Sequence, residues 1–540
     1  MSRLLEAPPR PRLSRHRPRH RRPPRIGLRV VGMVALLALI AASAIVWRTG
    51  VADFLFARTK PEAATHSLRP SAPPSPTIAQ AVTPSPTQSA APSTSGPINT
   101  AFPGITTFRG NASRSYYGQG PLPKHPTILW RYPVTGRLCS ESSDQGGKRL
   151  WCGTGWTGQP NVIVGKGGKI EIRIGAYDGH YHFLNGTTGQ PTRPDLVTGD
   201  LAKGSATSDP DGYPLYYAGS RDNLFRVVAL DRPSPTVLWS IDADTSVPNR
   251  LWNNDWDGAA LVIGDYLLEG GENSWFYVVR LHRHYDKAGL VQVKPEIVAL
   301  IPGFDSRLLA DLHDRDVSIE GSVAFRDGVV YFGNSGGLVQ GWDISNVLAG
   351  GTHYRRVFRF WEGDETDASV VIDDQGFLYV GRHASVNVQT RSKVRDHEVG
   401  SLMKLDPRKP KNPVVWSVQI GGFQPDGGIL STPAIHKGIV YVMDTAGALV
   451  AVDQRSGKAL WTVKLPGPTW MSPVPIGNQI LVGDCAGVLH DFDISKPKRP
   501  PDELWRVQLS GCIESTPAVW KGMIWIGSRG GTIYGIGSSA

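Results

Sequence analysis

The chain repeats itself, and the repeat constrains the fold more than any local propensity does. Residues 431–461 read STPAIHKGIVYVMDTAGALVAVDQRSGKALW. This is a short strand (TPAI), a turn at Lys437-Gly438, a strand (IVYV), a hairpin at Gly447, a strand (ALVAVD), a Ser-Gly turn and a strand ending at Trp461. The pattern returns at 515–537, 472–505, 322–361 and 369–416, and more loosely at 205–239. Residues 257–304 and 151–198 fit it with insertions. Eight units at a spacing of roughly fifty residues, each of four antiparallel strands, predict an all-β, eight-bladed β-propeller, because each sheet can bury its faces only against its neighbours and the array must close. The last unit stops at Gly537 one strand short, and residues 128–132 (ILWRY) are an outer-type strand with no unit before it. That segment is expected to complete the last blade. With 61 Gly and 43 Pro, the composition disfavours a helical alternative.

The propeller, residues 99–540, follows three segments of different character. Residues 1–29 carry ten arginines against one acid, Glu6, which leaves the rest of the chain with +2 of the total +11. The basic pI therefore gives no support to nucleic-acid binding. Residues 30–50 contain VVGMVALLALIAASAIVW, long enough for a transmembrane helix, and the arginines before it predict a cytoplasmic N-terminus, with basic residues at the lipid surface. Cleavage near Ala42-Ser43-Ala44 would instead give a secreted protein. Residues 51–98, rich in Pro, Ser, Thr and Ala, read as a disordered linker. The expected location is the plasma membrane, single-pass and signal-anchored, with the propeller extracytoplasmic.

Aligning the start of each inner strand isolates one position before a run of small residues: Trp151, Lys203, Asp257, Glu320, Asp367, Leu430, Trp470 and Glu514. Inner strands line the channel of a propeller, so these residues are expected to form a ligand-binding ring at one rim. Clustered carboxylates raise one another's pKa unless a cation screens them. Asp257, Glu320, Asp367 and Glu514 are therefore a candidate Ca²⁺ or cationic-ligand site, against solvated charges in a water-filled channel. Trp252, Trp256 and Trp275, with Asn253, Asn254, Asp255 and Asn273, lie in two insertions and would suit sugars or peptides. Gly153 to Gly158 matches GxGxxG and Gly333 to Gly337 matches GxSxG, but neither sits at the strand-to-helix junction its chemistry needs. In an oxidising compartment the four cysteines are expected to pair, Cys139 with Cys152 and Cys485 with Cys512 preferred among three pairings.

The units resemble the pyrroloquinoline-quinone (PQQ)-like repeat propellers, the family of quinoprotein alcohol dehydrogenases and the outer-membrane assembly factor BamB. The resemblance rests on Ala451-Val452-Asp453, Ser456-Gly457-Lys458 and Trp461, on degenerate copies ending at Trp239, Trp416 and Trp505, and on Phe108-Arg109-Gly110-Asn111. The wider pattern also looks like that of actinobacterial membrane-anchored members of the group. The resemblance implies the fold over about residues 101–540 and leaves two functions open. One is a binding or assembly scaffold for envelope proteins or glycans; the other is a metal- or PQQ-dependent oxidoreductase. PQQ is a tricarboxylate, which an acidic ring would oppose, and the adjacent cysteine pair of the alcohol dehydrogenases has no counterpart here.

Overall fold

In the clearest repeat the second and third strands, Ile439–Asp444 and Ala448–Asp453, are apolar along almost their whole length, which suits a sheet covered on both faces. The computed structural model describes residues 96–540 apart from 145–146, 157, 313, 385–392, 423–426 and 540. Strands Ile439–Asp444 and Ala448–Asp453 are buried at eleven of twelve positions, whereas the outer strand Asp502–Gln508 alternates between exposed and half-buried. Gly447 turns the first pair at φ +89°, and a Cβ there would meet the Gly467 carbonyl oxygen at 1.9 Å. Only glycine fits that approach.

Eight four-stranded antiparallel blades result, at 161–197, 207–242, 261–302, 324–361, 371–418, 434–464, 474–508 and 518–538 with Pro126–Tyr132 as the outer strand of the last. The expected closure is made by Pro126–Tyr132 pairing antiparallel with Thr532–Ser538. Buried side chains of blades 6, 7 and 8 interleave into one cluster that includes Leu449, Leu481 and Ile524. Strand order puts the starts of the inner strands and the hairpins between second and third strands on one face, here the basin face. The remaining turns form the opposite turn face.

The channel is not the water-filled space weighed above. Residues 103–121 run into it and fill it. Gly104–Ile105 pairs antiparallel with Asn161–Val164, and Gly118–Gln119 pairs parallel with Ala518–Trp520. Between them, backbone bonds reach blade 2 (Ser208 N to Thr106 O, 2.8 Å), blade 4 (Phe325 N to Ala112 O, 2.8 Å) and blade 5 (Ile372 N to Ser113 O, 3.0 Å). Arg114 donates to the carbonyls of Val323, Ala259 and Phe108, and Arg109 to that of Thr432. The Phe108-Arg109-Gly110-Asn111 motif thus belongs to a plug whose arginines, Arg109 and Arg114, tie blades together through carbonyl groups.

The anticipated basic tail, membrane helix and most of the linker lie outside the described residues. Among the described residues no helix is long and apolar enough to cross a membrane.

Candidate functional site: a charged basin over the plugged channel

The small residues after each ring position have a structural task. Two places on, a Ser or Thr hydroxyl accepts a hydrogen bond from the equivalent backbone N–H of the preceding blade. The pairs are Gln159 to Ser205, Ala259 to Ser322, Ser322 to Ser369, Ser369 to Thr432 and Thr432 to Ser472, at 2.9 to 3.1 Å. This belt fixes neighbouring inner strands in register and aims the preceding side chains at the axis.

Those side chains meet over a basin of about 590 Å³. Trp151, Lys203, Asp257, Glu320, Leu430, Trp470 and Glu514 line it. Asp367 lies just behind, joined to Glu320 through Ser335, whose Oγ donates to Asp367 Oδ1 (3.0 Å) and Glu320 Oε1 (3.2 Å). Ser335 is the serine of the GxSxG match, and its turn is closed by Gly337 N to Asn334 O (2.8 Å), so it is a buried linker between two acids.

The four acids named as a metal set do not meet at one point. Among the described residues, the groups close enough to share a cation are Asp255, Asp257 and Glu272, and Glu365, Asp367 and His383. In the first, the ammonium of Lys203 stands where a cation would: its Nζ lies 2.8 Å from Asp255, 2.8 Å from Asp257 and 3.2 Å from Glu272. Burial opposes the charge on Lys203, but the three carboxylates outweigh it and hold its pKa well above the ordinary lysine value. Across the basin Glu514 pairs with Arg529 at 3.0 Å, and burial pushes its pKa up against that partner. Burial, then Asp367 and Asp257, push Glu320 well above the carboxylate range, with Lys203 opposing. The sequence could not show this division, because Asp255 comes from an insertion and Glu272 and Arg529 from hairpins between second and third strands of different blades.

Trp151 reaches the basin by a different route from the one inferred. The inner strand of blade 1 is Asn161–Val164, so its aligned position is residue 157. Trp151 belongs to an extra hairpin, Cys139–Asp144 with Gly147–Cys152, stapled by the Cys139–Cys152 disulfide. Its indole lies under three guanidinium groups, of Arg149 (4.2 Å), Arg529 (5.2 Å) and Arg221 (5.5 Å), and edge-on to Tyr177. The second disulfide joins Cys485, in the hairpin of blade 7, to Cys512, which lines the basin.

Of the three tryptophans considered for the two insertions, Trp256 and Trp275 are packed away and Trp252 is half-buried. Trp256 is 1% exposed, lies between Phe225 and Tyr277, and donates to the carbonyl of Asn223. Asn273 is fully buried on Ala243 and Tyr277, and Trp275 donates to Asn249. The GxGxxG segment precedes a strand.

Residues 398–510, spanning blades 6 and 7, match the family model described as outer membrane protein assembly factor BamB. Over those residues the chain resembles the PQQ-like repeat propellers, and its described residues form an eight-bladed β-propeller. Quinohemoprotein alcohol dehydrogenase from Comamonas testosteroni is similar in fold, with TM-score 0.52, 12% identity and 81% of each chain covered. BamB from Moraxella catarrhalis gives TM-score 0.45 at 15% identity over 77% of this chain and 98% of that one. No curated protein matches the sequence. Such identities speak to the fold alone, and the chemistry must be argued from the basin. There the donor set does not fit PQQ. Lys203 occupies the position a bridging cation would need, its ammonium already held by Asp255, Asp257 and Glu272.

Proposed function

We propose that this protein is a membrane-anchored, extracytoplasmic scaffold that engages envelope proteins or glycans through the basin face. The observation carrying this reading is the internal pairing of the basin's charges: Lys203 and Arg221 among Asp255, Asp257 and Glu272, and Arg529 on Glu514, leave a recess built for shape and hydrogen bonding. Two disulfides stiffen its rim, which suits recognition by a preformed surface. The match to the BamB family model over residues 398–510 supports protein partners. The apolar segment 30–50 behind ten arginines supports the anchor.

The test is site-specific photo-cross-linking in cells from Leu150, on the hairpin, and from Trp470, in the basin. Discrete adducts with envelope components, absent when the probe sits at exposed Val237, are expected. A parallel titration with Ca²⁺ and PQQ should give no saturable heat. Saturable quinone binding that is lost in Glu320→Gln would overturn the scaffold reading in favour of an oxidoreductase.

A further inference from the structure

The turn face carries a second recess, and its charge is distributed unevenly around the ring. The turns of blades 1–4 on this face (165–169, 186–192, 209–214, 230–235, 264–265, 281–295, 326–328 and 343–354) hold seven Lys or Arg and seven Asp. The matching turns of blades 5–8 (121–125, 373–376, 406–412, 436–438, 453–458, 477–478, 493–502 and 521–522) hold eleven Lys or Arg and six Asp. All eleven cations are exposed, but only Asp374 and Asp502 among the acids are. Asp406, Asp453 and Asp493 are engaged by their own turns, through Arg408, Ser456 and Ser495. One half of the face is electrically balanced and the other strongly positive.

Within the positive half, a cleft of about 850 Å³ opens between blades 5, 6 and 7 and the plug. Of its two acids, Asp374 is exposed and Asp373 is spent inside the protein. Asp373 Oδ1 accepts the N–H groups of Gln375 and Phe377, and Oδ2 accepts from Tyr379 and Gln454, with Lys404 at 3.9 Å. Burial lowers the pKa of His436, which bonds the carbonyl of Gly477. At the mouth Lys437 and Arg455 outnumber the exposed Asp374, while Tyr116, Ile435 and Ile476 give the walls apolar surface.

We propose that this cleft and its cationic rim bind an acidic peptide segment of a partner protein, with an apolar side chain seated between Ile435 and Ile476 and flanking carboxylates on Lys437, Arg455 and the turn at Lys496–Arg499. A planar anionic bilayer would meet the rim but could not enter the recess, and an inorganic polyanion would leave the apolar wall wet. The proposal concerns the face opposite the basin and stands whatever the basin binds.

The test uses the full chain and fluorescence anisotropy with a labelled acidic peptide carrying one central Leu. The Leu peptide should bind more tightly than its Leu→Ser counterpart, and its affinity should fall as salt rises. Lys437→Glu with Arg455→Glu should weaken it by at least about tenfold, whereas Lys166→Glu with Lys169→Glu, in the balanced half, should leave it unchanged. All four positions are exposed, so folding is checked by an unchanged Tm. Equal binding by both double variants, or no discrimination between the Leu and Ser peptides, would refute the proposal. So would tighter binding to phosphatidylglycerol vesicles or to polyphosphate.

Discussion

The indole N–H of Trp130 donates to the carbonyl of Gly186 at 2.9 Å, across the seam between the last blade and the first. Trp525 donates to the same oxygen at 2.8 Å. Two tryptophans of blade 8 thus dock on one turn of blade 1. The same device joins blade 5 to blade 6 (Trp416 to Gln454 O, 3.0 Å) and blade 6 to blade 7 (Trp461 to Pro497 O, 2.9 Å). Trp130→Ala removes a side chain 8% exposed, packed on Gly189 and Gly535, and should destabilise the propeller by about 3–5 kcal/mol in chemical denaturation. An unchanged midpoint would mean the seam is held elsewhere.

Replacing Lys203 by Met takes the shared cation from three buried carboxylates, of which Asp255 keeps Arg221 and Glu272 keeps Asn253, and a loss of roughly 3–5 kcal/mol is expected near neutral pH. Acid should lessen the defect, because protonating the carboxylates removes the unpaired charge. Adding Asp257→Asn should restore part of the stability. Thermal melts across pH for the two variants check both statements.

His182 sits between Asp178 (3.2 Å) and Asp195 (3.0 Å) in a buried site. Burial opposes its charge, yet the two carboxylates raise its pKa to about 9. Because the folded value exceeds the unfolded one of about 6.5, its stabilising effect is complete below that pH and disappears as pH rises through about 9. A wild-type advantage over His182→Gln on the order of 3 kcal/mol at low pH, shrinking towards zero in alkali, is the expected profile.

The Cys485–Cys512 disulfide closes a loop of 27 residues. Chain entropy gives such a cross-link about 3–4 kcal/mol, so the double Ser variant should unfold at a correspondingly lower denaturant concentration. Its side chains also border the basin, and the cross-links from Trp470 should weaken in the same variant.

Thr432 accepts from Ser369 N at 3.1 Å as one link of the inner belt. Thr432→Val keeps the shape and leaves a buried N–H without its acceptor, for an expected loss of about 1–3 kcal/mol. Hydrogen exchange should show new lability at Ser369 while the amides of blade 2 stay protected.

Much of this architecture is written in local pattern. The repeat from Ser431 to Trp461 states strand lengths, turn positions and the Trp docking site, because each blade buries its own residues against copies of itself. The missing strand after Gly537 and the spare one at Ile128–Tyr132 likewise announce how the ring closes. Ring positions such as Lys203, Asp257 and Glu320 were legible for the same reason: symmetry places equivalent residues at equivalent depths. What sequence could not supply was anything that breaks the repeat. Arg109 and Arg114 read as part of a leading motif, and only the closed ring reveals a channel for them to fill. Trp151 reaches the basin on a hairpin outside the repeat, and Asp255 arrives on an insertion and Glu272 on a blade hairpin to make Lys203 the cation of the site. The charge of each residue was visible from the start, but its partners were not, because ion pairing depends on distances of a few ångströms between segments far apart in the chain.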